Sequence, residues 1–89
     1  MMNINRSEIA EKLIELAAEQ AGVDAQELTL ETHLINDLNF DSLDTVEYVM
    51  QIEEAYEVNI PDEYATEVRT IGQAVDMLWA LMTPPAAAA

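Results

Sequence analysis

The chain has 89 residues, which is enough for one small domain. Its 18 acidic side chains face only 3 basic ones, so a formal net charge of −15 opposes binding to nucleic-acid phosphates and anionic lipid surfaces. Because there is no cysteine, disulfides, thiol nucleophiles and cysteine-ligated metals are excluded.

The first predicted helix runs from about residue 6 to residue 20. Asn5 and Glu8 mark the ends of a capping-box pattern, and apolar residues then recur at helical spacing up to Gly22, a typical helix stop. Residues 22–40 follow as a long connection. This connection is too apolar for free solvent, so we expect it to pack over the core through Leu28, Leu30, Leu34, Ile35 and Leu38.

Three further helices are predicted in the rest of the chain. Asp41 and Ser42 open a helix that reaches about Tyr56, and Pro61 begins a short third helix. A second capping box starts the last helix, whose apolar stripe consists of Ile71, Ala74, Val75, Leu78, Leu81 and Met82. The fold class is therefore all-α, with one domain over residues 1–82 and a disordered Pro/Ala tail over residues 83–89.

The second helix carries two apolar stripes. At 100° per residue, the natural core face consists of Thr45, Val49, Ile52 and Tyr56. The other stripe lies about 150° away and consists of Leu43, Val46 and Met50. Carboxylates surround this second stripe, which predicts a docking surface that binds by apolar contact and attracts basic partners. In the alternative interpretation, other helices bury both stripes and the acids only solvate the remainder.

Ser42 is the one hydroxyl that is well placed for chemistry, because a helix N-terminus stabilises a phosphate bonded there. On position alone, an ordinary N-cap serine is the simpler interpretation. Asp37, Asn39 and Asp41 match the first ligand positions of a calcium-binding EF-hand loop. The glycine and the glutamate that such a loop requires are both missing, so no metal site is predicted.

Few other groups in the chain are suited to catalysis. The single histidine, His33, is interpreted as a polar loop residue. The longest apolar run, residues 77–82, is far too short to cross a membrane, and the N-terminus lacks an apolar signal core. We therefore expect a soluble, cytoplasmic domain that is not an enzyme but a protein on which enzymes act.

Residues 37–47, with the sequence Asp-Leu-Asn-Phe-Asp-Ser-Leu-Asp-Thr-Val-Glu, resemble the prosthetic-group site of acyl carrier proteins. The family pattern continues in order and without a gap through residues 53–56, 60–63 and 70–76. The resemblance covers about residues 6–80 and is strongest to the discrete, acidic carriers of type II fatty acid synthesis.

The resemblance implies a monomeric, right-handed four-helix bundle with a short third helix, which carries acyl groups without catalysing their chemistry. Ser42 would receive 4′-phosphopantetheine from coenzyme A through a Mg²⁺-dependent phosphopantetheinyl transferase, and acyl groups would ride as thioesters on the terminal thiol. Partner enzymes with basic docking patches would contact Asp41, Leu43, Asp44, Val46, Glu47, Met50, Glu53, Glu54 and Val68. Ile52 and Ala65 would line a cavity for the acyl chain.

Asn39 and Phe40 depart from the family pattern, which has glycine and then a small or aliphatic residue at these positions. Asparagine tolerates a left-handed backbone, so the turn is expected to survive, and Phe40 is expected beside the prosthetic arm. A carrier from a specialised lipid or polyketide pathway fits as well as a fatty-acid carrier. The alternatives from other classes are an unmodified acidic adaptor that binds basic proteins through the second helix and a low-affinity cation-binding protein.

Overall fold

Four α-helices and one short 3₁₀ helix form the fold of residues 5–82, the part of the chain that the computed structural model describes. The helices are α1 (Arg6–Ala21), α2 (Ser42–Tyr56), α3 (Asp62–Ala65) and α4 (Ile71–Met82), with the 3₁₀ helix at Ala25–Glu27. The predicted all-α class is confirmed, and none of the described helices is long and apolar enough to cross a membrane. The predicted Pro/Ala tail lies outside the described residues, as do residues 1–4.

Helix α1 packs against both α2 and α4. It begins at the predicted cap, where Asn5 Oδ1 accepts a hydrogen bond from the Glu8 N–H at 2.9 Å. It ends at Gly22, whose φ of 74° is a left-handed conformation that glycine adopts without strain. The face that α1 buries consists of Ile9, Leu13, Leu16, Ala17 and Ala18.

The core face of α2 is wider than the sequence pattern indicates. Val49 and Ile52 are buried as predicted, whereas Thr45 and Tyr56 lie at the edge and are half-buried. Tyr48 was not part of the predicted core face, yet it is completely buried. Its phenol is polar only at the tip, so the ring can enter the core if the hydroxyl finds a partner.

The Tyr48 side chain connects α2 to α1 across the core. Its hydroxyl donates a hydrogen bond to the Leu13 carbonyl oxygen at 2.9 Å. Its ring meets the ring of Phe40 edge to face, with 5.9 Å between the centroids. Phe40 is only 4% exposed, so its ring fills the core. The sequence had suggested a different position, beside the prosthetic arm.

The connection between α1 and α2 is tied to the start of α4 by main-chain hydrogen bonds. The Gly72 N–H donates to the Leu30 carbonyl oxygen at 2.7 Å, and the Leu34 N–H donates to the Arg69 carbonyl oxygen at 2.8 Å. Glycine is required at position 72, because a Cβ atom there would lie 2.9 Å from the Leu30 oxygen. The connection is therefore held down by its backbone as well as by apolar burial.

This backbone attachment explains why only part of the apolar connection is buried. Leu34 is buried, and Leu28 and Leu38 are half-buried against the core, as predicted. The side chains of Leu30 and Ile35 are exposed, contrary to expectation. At Leu30 the main-chain carbonyl makes the hydrogen bond to α4, while the residue stays exposed.

Helix α4 begins at the predicted capping box. Thr70 Oγ1 accepts from the Gln73 N–H at 3.1 Å, and Gln73 Oε1 accepts from the Thr70 N–H at 3.2 Å. The predicted stripe is buried from Ile71 through Leu78 but not to its end. Leu81 is exposed because it borders a surface groove instead of the core.

Helix α2 is capped by Asp41 and not by Ser42. Asp41 Oδ1 accepts from the Asp44 N–H at 2.8 Å, and Asp44 Oδ2 accepts from the Asp41 N–H at 3.2 Å, which makes a reciprocal capping box. Ser42 is the first helical residue, and its hydroxyl makes no hydrogen bond within residues 5–82. The interpretation of Ser42 as an ordinary N-cap serine is therefore wrong.

Alanine substitutions at positions 41 and 42 should have different effects on stability. Asp41→Ala is expected to lower the free energy of unfolding by about 1 kcal/mol, the usual contribution of an N-cap side chain. Ser42→Ala should change it by less than about 0.5 kcal/mol, as for an ordinary surface position. Urea unfolding followed by circular dichroism measures both values. Equal losses in the two variants would contradict the assignment of the cap to Asp41.

Tyr48→Phe keeps the buried ring and removes the hydroxyl, so we expect the free energy of unfolding to fall by about 1 kcal/mol at neutral pH. Burial raises the pKa of the Tyr48 phenol, whereas tyrosine in the unfolded chain ionises near pH 10. The stability that the neutral phenol contributes is therefore present below about pH 10 and is lost as the pH rises further. Above that pH, the wild type should lose stability more steeply than Tyr48→Phe does.

Tyr56→Phe is the matched control for this alkaline transition. The pKa of Tyr56 is also raised, mainly by burial and to a smaller extent by the negative charges of Glu8 and Glu15. Tyr56 is only half-buried. Tyr56→Phe should therefore reduce the loss of stability above pH 10 by less than Tyr48→Phe does. Wild type and Tyr48→Phe melting in parallel above pH 10 would show that the buried phenol does not control this transition.

Candidate functional site

The Ser42 side chain is exposed in the first turn of α2. The free N–H groups and the dipole of a helix N-terminus stabilise negative charge at this place. Since Asp41 and Asp44 make the capping hydrogen bonds, the Ser42 oxygen takes no part in holding the helix. The site therefore fits a covalently attached phosphodiester, because the bonded oxygen is accessible and its modification disturbs no contact.

The turn before Ser42 is anchored to the core. Asn39 adopts the predicted left-handed conformation with φ of 60°. The next residue, Phe40, donates its N–H to the Leu34 carbonyl oxygen at 3.0 Å and buries its ring. A buried aromatic residue thus lies two positions before Ser42 and fixes the point at which the chain enters α2.

The second apolar stripe of α2 is exposed to solvent. Leu43 is 62% exposed, and Val46 and Met50 are each 53% exposed. The alternative in which other helices bury both stripes is therefore wrong for the described part of the chain. Three large apolar side chains in successive turns form a continuous surface that begins directly after Ser42.

The carboxylates around this stripe differ in how their oxygens are used. Both oxygens of Asp44 accept hydrogen bonds, and Glu53 Oε2 accepts from the Ile60 N–H at 2.7 Å. These two acids hold the local structure in addition to contributing charge. Glu47 and Glu54 are exposed, and within residues 5–82 their carboxylates accept no hydrogen bond from a main-chain N–H group.

Gln20, near the end of α1, makes hydrogen bonds to side chains of α2 beside the exposed stripe. Its Nε2 donates to Glu47 Oε1 at 2.8 Å and to Asp44 Oδ1 at 3.2 Å, and its Oε1 accepts from Gln51 Nε2 at 3.0 Å. Sequence reasoning missed Gln20 because its partners lie 24 to 31 positions further along the chain. No local pattern signals a contact over that separation.

The remaining predicted site residues lie away from the exposed stripe. Val68, predicted to bind partners, is only 9% exposed and borders a groove of about 430 Å³ beside α4. The predicted cavity residues Ile52 and Ala65 do not line this groove. Ile52 is fully buried in the core, and Ala65 is half-buried against it.

Asp37 of the incomplete EF-hand pattern takes part in a turn around His33. His33 Nδ1 accepts from the N–H groups of Ile35 and Asn36 at 3.2 and 3.0 Å, and Asp37 Oδ2 accepts from the His33 N–H at 2.7 Å. The interpretation of His33 as a polar loop residue is confirmed. Among residues 5–82, no three acidic or histidine side chains come together as a set of metal ligands.

Comparison with known proteins identifies the family. A family model described as a phosphopantetheine attachment site matches residues 11–78. The acyl carrier protein of Guillardia theta is 47% identical over 75 residues, which cover 84% of this chain and 93% of that protein. An acyl carrier protein of Porphyromonas gingivalis is 43% identical over 72 residues, which cover 81% of this chain and 92% of that protein.

The fold gives the same result. The solved structure of the acyl carrier protein from Enterococcus faecalis superimposes with a TM-score of 0.73 at 28% identity, covering 88% of this chain and 99% of that one. Family model, relatives and fold therefore agree. The chain belongs to the acyl carrier protein family, whose members are carriers and not enzymes and bear a covalently attached 4′-phosphopantetheine.

Proposed function

We propose that Ser42 carries the 4′-phosphopantetheine and that the chain shuttles acyl thioesters in cytoplasmic fatty acid biosynthesis or a related lipid or polyketide pathway. The observation that carries this proposal is the Ser42 hydroxyl, which is exposed in the first turn of α2 and free of any structural hydrogen bond within residues 5–82. When bound, the arm supplies the terminal thiol that this cysteine-free chain lacks.

Loading requires Ser42 to act as the nucleophile towards coenzyme A. The Ser42 oxygen forms a bond to phosphorus, a P–O bond of the pyrophosphate breaks, and adenosine 3′,5′-bisphosphate leaves. The hydroxyl proton passes to the transferase. Within the chain, the Asp41 cap and the buried Phe40 fix the backbone of Ser42 next to Leu43, where the exposed stripe begins.

We infer that transferase and synthase enzymes dock on the exposed stripe and the acids around it. The apolar contact of Leu43, Val46 and Met50 supports affinity, and the carboxylates attract enzymes with basic patches. Glu47 and Glu54 are the acids most available for ion pairs. Asp41, Asp44 and Glu53 contribute their charge while holding the structure, and Val68 contributes through the groove instead of through this stripe.

Ile52 and Ala65 remain the proposed lining of the acyl cavity. Both side chains belong to or pack on the core, so an acyl chain that enters there has to separate α3 from its neighbours. The short length of α3, four residues, supports this proposal because few contacts hold such a segment in place.

Attachment is tested by the intact mass of the protein after incubation with a phosphopantetheinyl transferase, Mg²⁺ and coenzyme A. The wild type should gain one phosphopantetheine, located on the peptide that contains Ser42, and Ser42→Ala should gain none. The control is Ser7→Ala, because Ser7 is the other serine of the chain and also lies exposed in the first turn of a helix. Ser7→Ala should load like the wild type.

Two outcomes of this experiment would contradict the proposal. Loading that persists in a folded Ser42→Ala protein would show that another residue carries the phosphopantetheine. A wild-type chain that remains unmodified with several transferases, but binds basic proteins, would favour the unmodified acidic adaptor.

Docking is tested by the steady-state kinetics of the same loading reaction. Glu47→Lys and Met50→Glu should raise the KM for the carrier by at least about tenfold, because like charges at an interface and a lost apolar contact each weaken binding by more than 1.4 kcal/mol. Added salt should slow the wild type more than Glu47→Lys. Glu11→Lys, an equal change of charge at an exposed position in the first half of α1, is the control. Identical KM values for all four proteins would show that α2 is not part of the interface with the transferase.

A further inference from the structure

The strongest unassigned feature is a set of hydrogen-bonded side chains between α1 and α2. We call it the amide chain, because the side-chain amides of Gln20 and Gln51 form its centre. Gln20 Nε2 donates to Glu47 Oε1 at 2.8 Å and to Asp44 Oδ1 at 3.2 Å, while Gln20 Oε1 accepts from Gln51 Nε2 at 3.0 Å. Two of these four side chains are carboxylates of the proposed docking surface. The amide chain therefore links that surface to α1, an element to which no docking role has been given.

The direction of this chain is set by the two carboxylates. An ionised carboxylate only accepts hydrogen bonds, so the nitrogen of Gln20 has to face Asp44 and Glu47. The Gln20 oxygen then points to Gln51, whose amide nitrogen turns towards it. As a consequence, Gln51 Oε1 is buried without a hydrogen-bond partner in the described part of the chain. The orientation of both glutamines thus serves the carboxylates.

A neutral amide does here what a cation cannot. Asp44 and Glu47 lie three positions apart on one helix, where like charges repel. A lysine or arginine at position 20 would hold both carboxylates but would also neutralise one of their two negative charges. Glutamine offers one N–H to each carboxylate and leaves both negative charges available to a partner.

We infer that Gln20 is a positioning residue of the docking surface, which holds the Asp44 and Glu47 carboxylates in place for lysine and arginine side chains of partner enzymes. This inference rests on the proposed function, because it assumes that partners bind at α2. Glu47 Oε2 makes no hydrogen bond within residues 5–82 and is the oxygen left for the partner. Partner enzymes therefore approach the junction of α2 with the last turn of α1.

Gln20→Glu separates positioning from simple attraction by charge. This variant keeps the size of the side chain and adds a negative charge, but it cannot donate to Asp44 and Glu47. If charge alone governs docking, Gln20→Glu should lower the KM for the carrier in the loading reaction with phosphopantetheinyl transferase and coenzyme A. If Gln20 positions the carboxylates, the same variant should raise KM about fivefold, the size of one lost hydrogen bond.

Gln20→Ala should also raise KM about fivefold with little change in kcat, because the interaction acts on docking and not on the chemistry. The controls are Gln26→Glu and Gln26→Ala, at an exposed glutamine whose side chain makes no hydrogen bond within residues 5–82. In a Glu47→Ala background, Gln20→Ala should lose the part of its effect on KM that acts through Glu47 and keep the part that acts through Asp44, whereas a general loss of stability would leave the effect of Gln20→Ala on KM unchanged. This coupling separates positioning from a general loss of stability.

The outcomes distinguish this inference from the proposed function. If the Glu47 variants raise KM while the Gln20 variants match the Gln26 controls, Gln20 has no positioning role and docking at α2 stands. A lower KM for Gln20→Glu than for the wild type overturns the inference in the same way. If the Glu47 variants leave KM unchanged, both the inference and the proposed docking surface fail.

Discussion

The shortage of cationic side chains is the constraint on which the rest of this structure depends. Residues 13–68 contain 15 acids and no lysine or arginine, so most carboxylates have no ion-pair partner nearby. Among the described residues, the ion pair between Arg6 and Asp76 joins α1 to α4 outside that stretch. Within the stretch, carboxylates take hydrogen bonds from main-chain N–H groups, as Asp41 does at the start of α2 and Glu53 does at Ile60. The acids thereby build caps and turns while their charge stays uncompensated.

Uncompensated charge has opposite effects on the fold and on the surface. It opposes compaction through self-repulsion, and it also produces the negative field that attracts basic proteins. The amide chain of Gln20 and Gln51 shows how the two effects meet. Holding two carboxylates in place leaves one buried amide oxygen without a partner in residues 5–82, an arrangement that costs about 1–3 kcal/mol. Stability is reduced at the place where hydrogen bonds hold two carboxylates of the surface.

Local sequence patterns predict this fold well because most of its signals are local. The caps at Asn5 and Thr70 follow from residues three positions apart, and the exposed stripe of α2 follows from helical periodicity. The choice between Asp41 and Ser42 as the cap is harder, since both residue types are good caps and the helix start shifts by one residue. Only coordinates show which side chain bonds to the helix and which is left free.

The residues that sequence reasoning missed make contacts across the bundle. Tyr48 donates a hydrogen bond to Leu13, which lies 35 positions away in the sequence, and Gln20 donates one to Glu47, 27 positions away. A tyrosine or a glutamine at these places has no distinguishing local pattern, because its role depends on which helix lies opposite. The same limit explains Phe40, whose ring turns into the core to meet Tyr48.

The capping of α2 by Asp41 and Asp44 has a consequence for how enzymes use the carrier. Because Asp41 and Asp44 make the cap without the Ser42 hydroxyl, the attachment proposed at Ser42 leaves the hydrogen bonds that start α2 intact. An enzyme that docks on α2, as proposed, meets the same cap in the empty and in the loaded carrier, so it has to distinguish the two forms by contact with the arm and its cargo. Under the proposed docking, enzymes of successive steps compete for the α2 surface, and the group on the arm determines which of them can act.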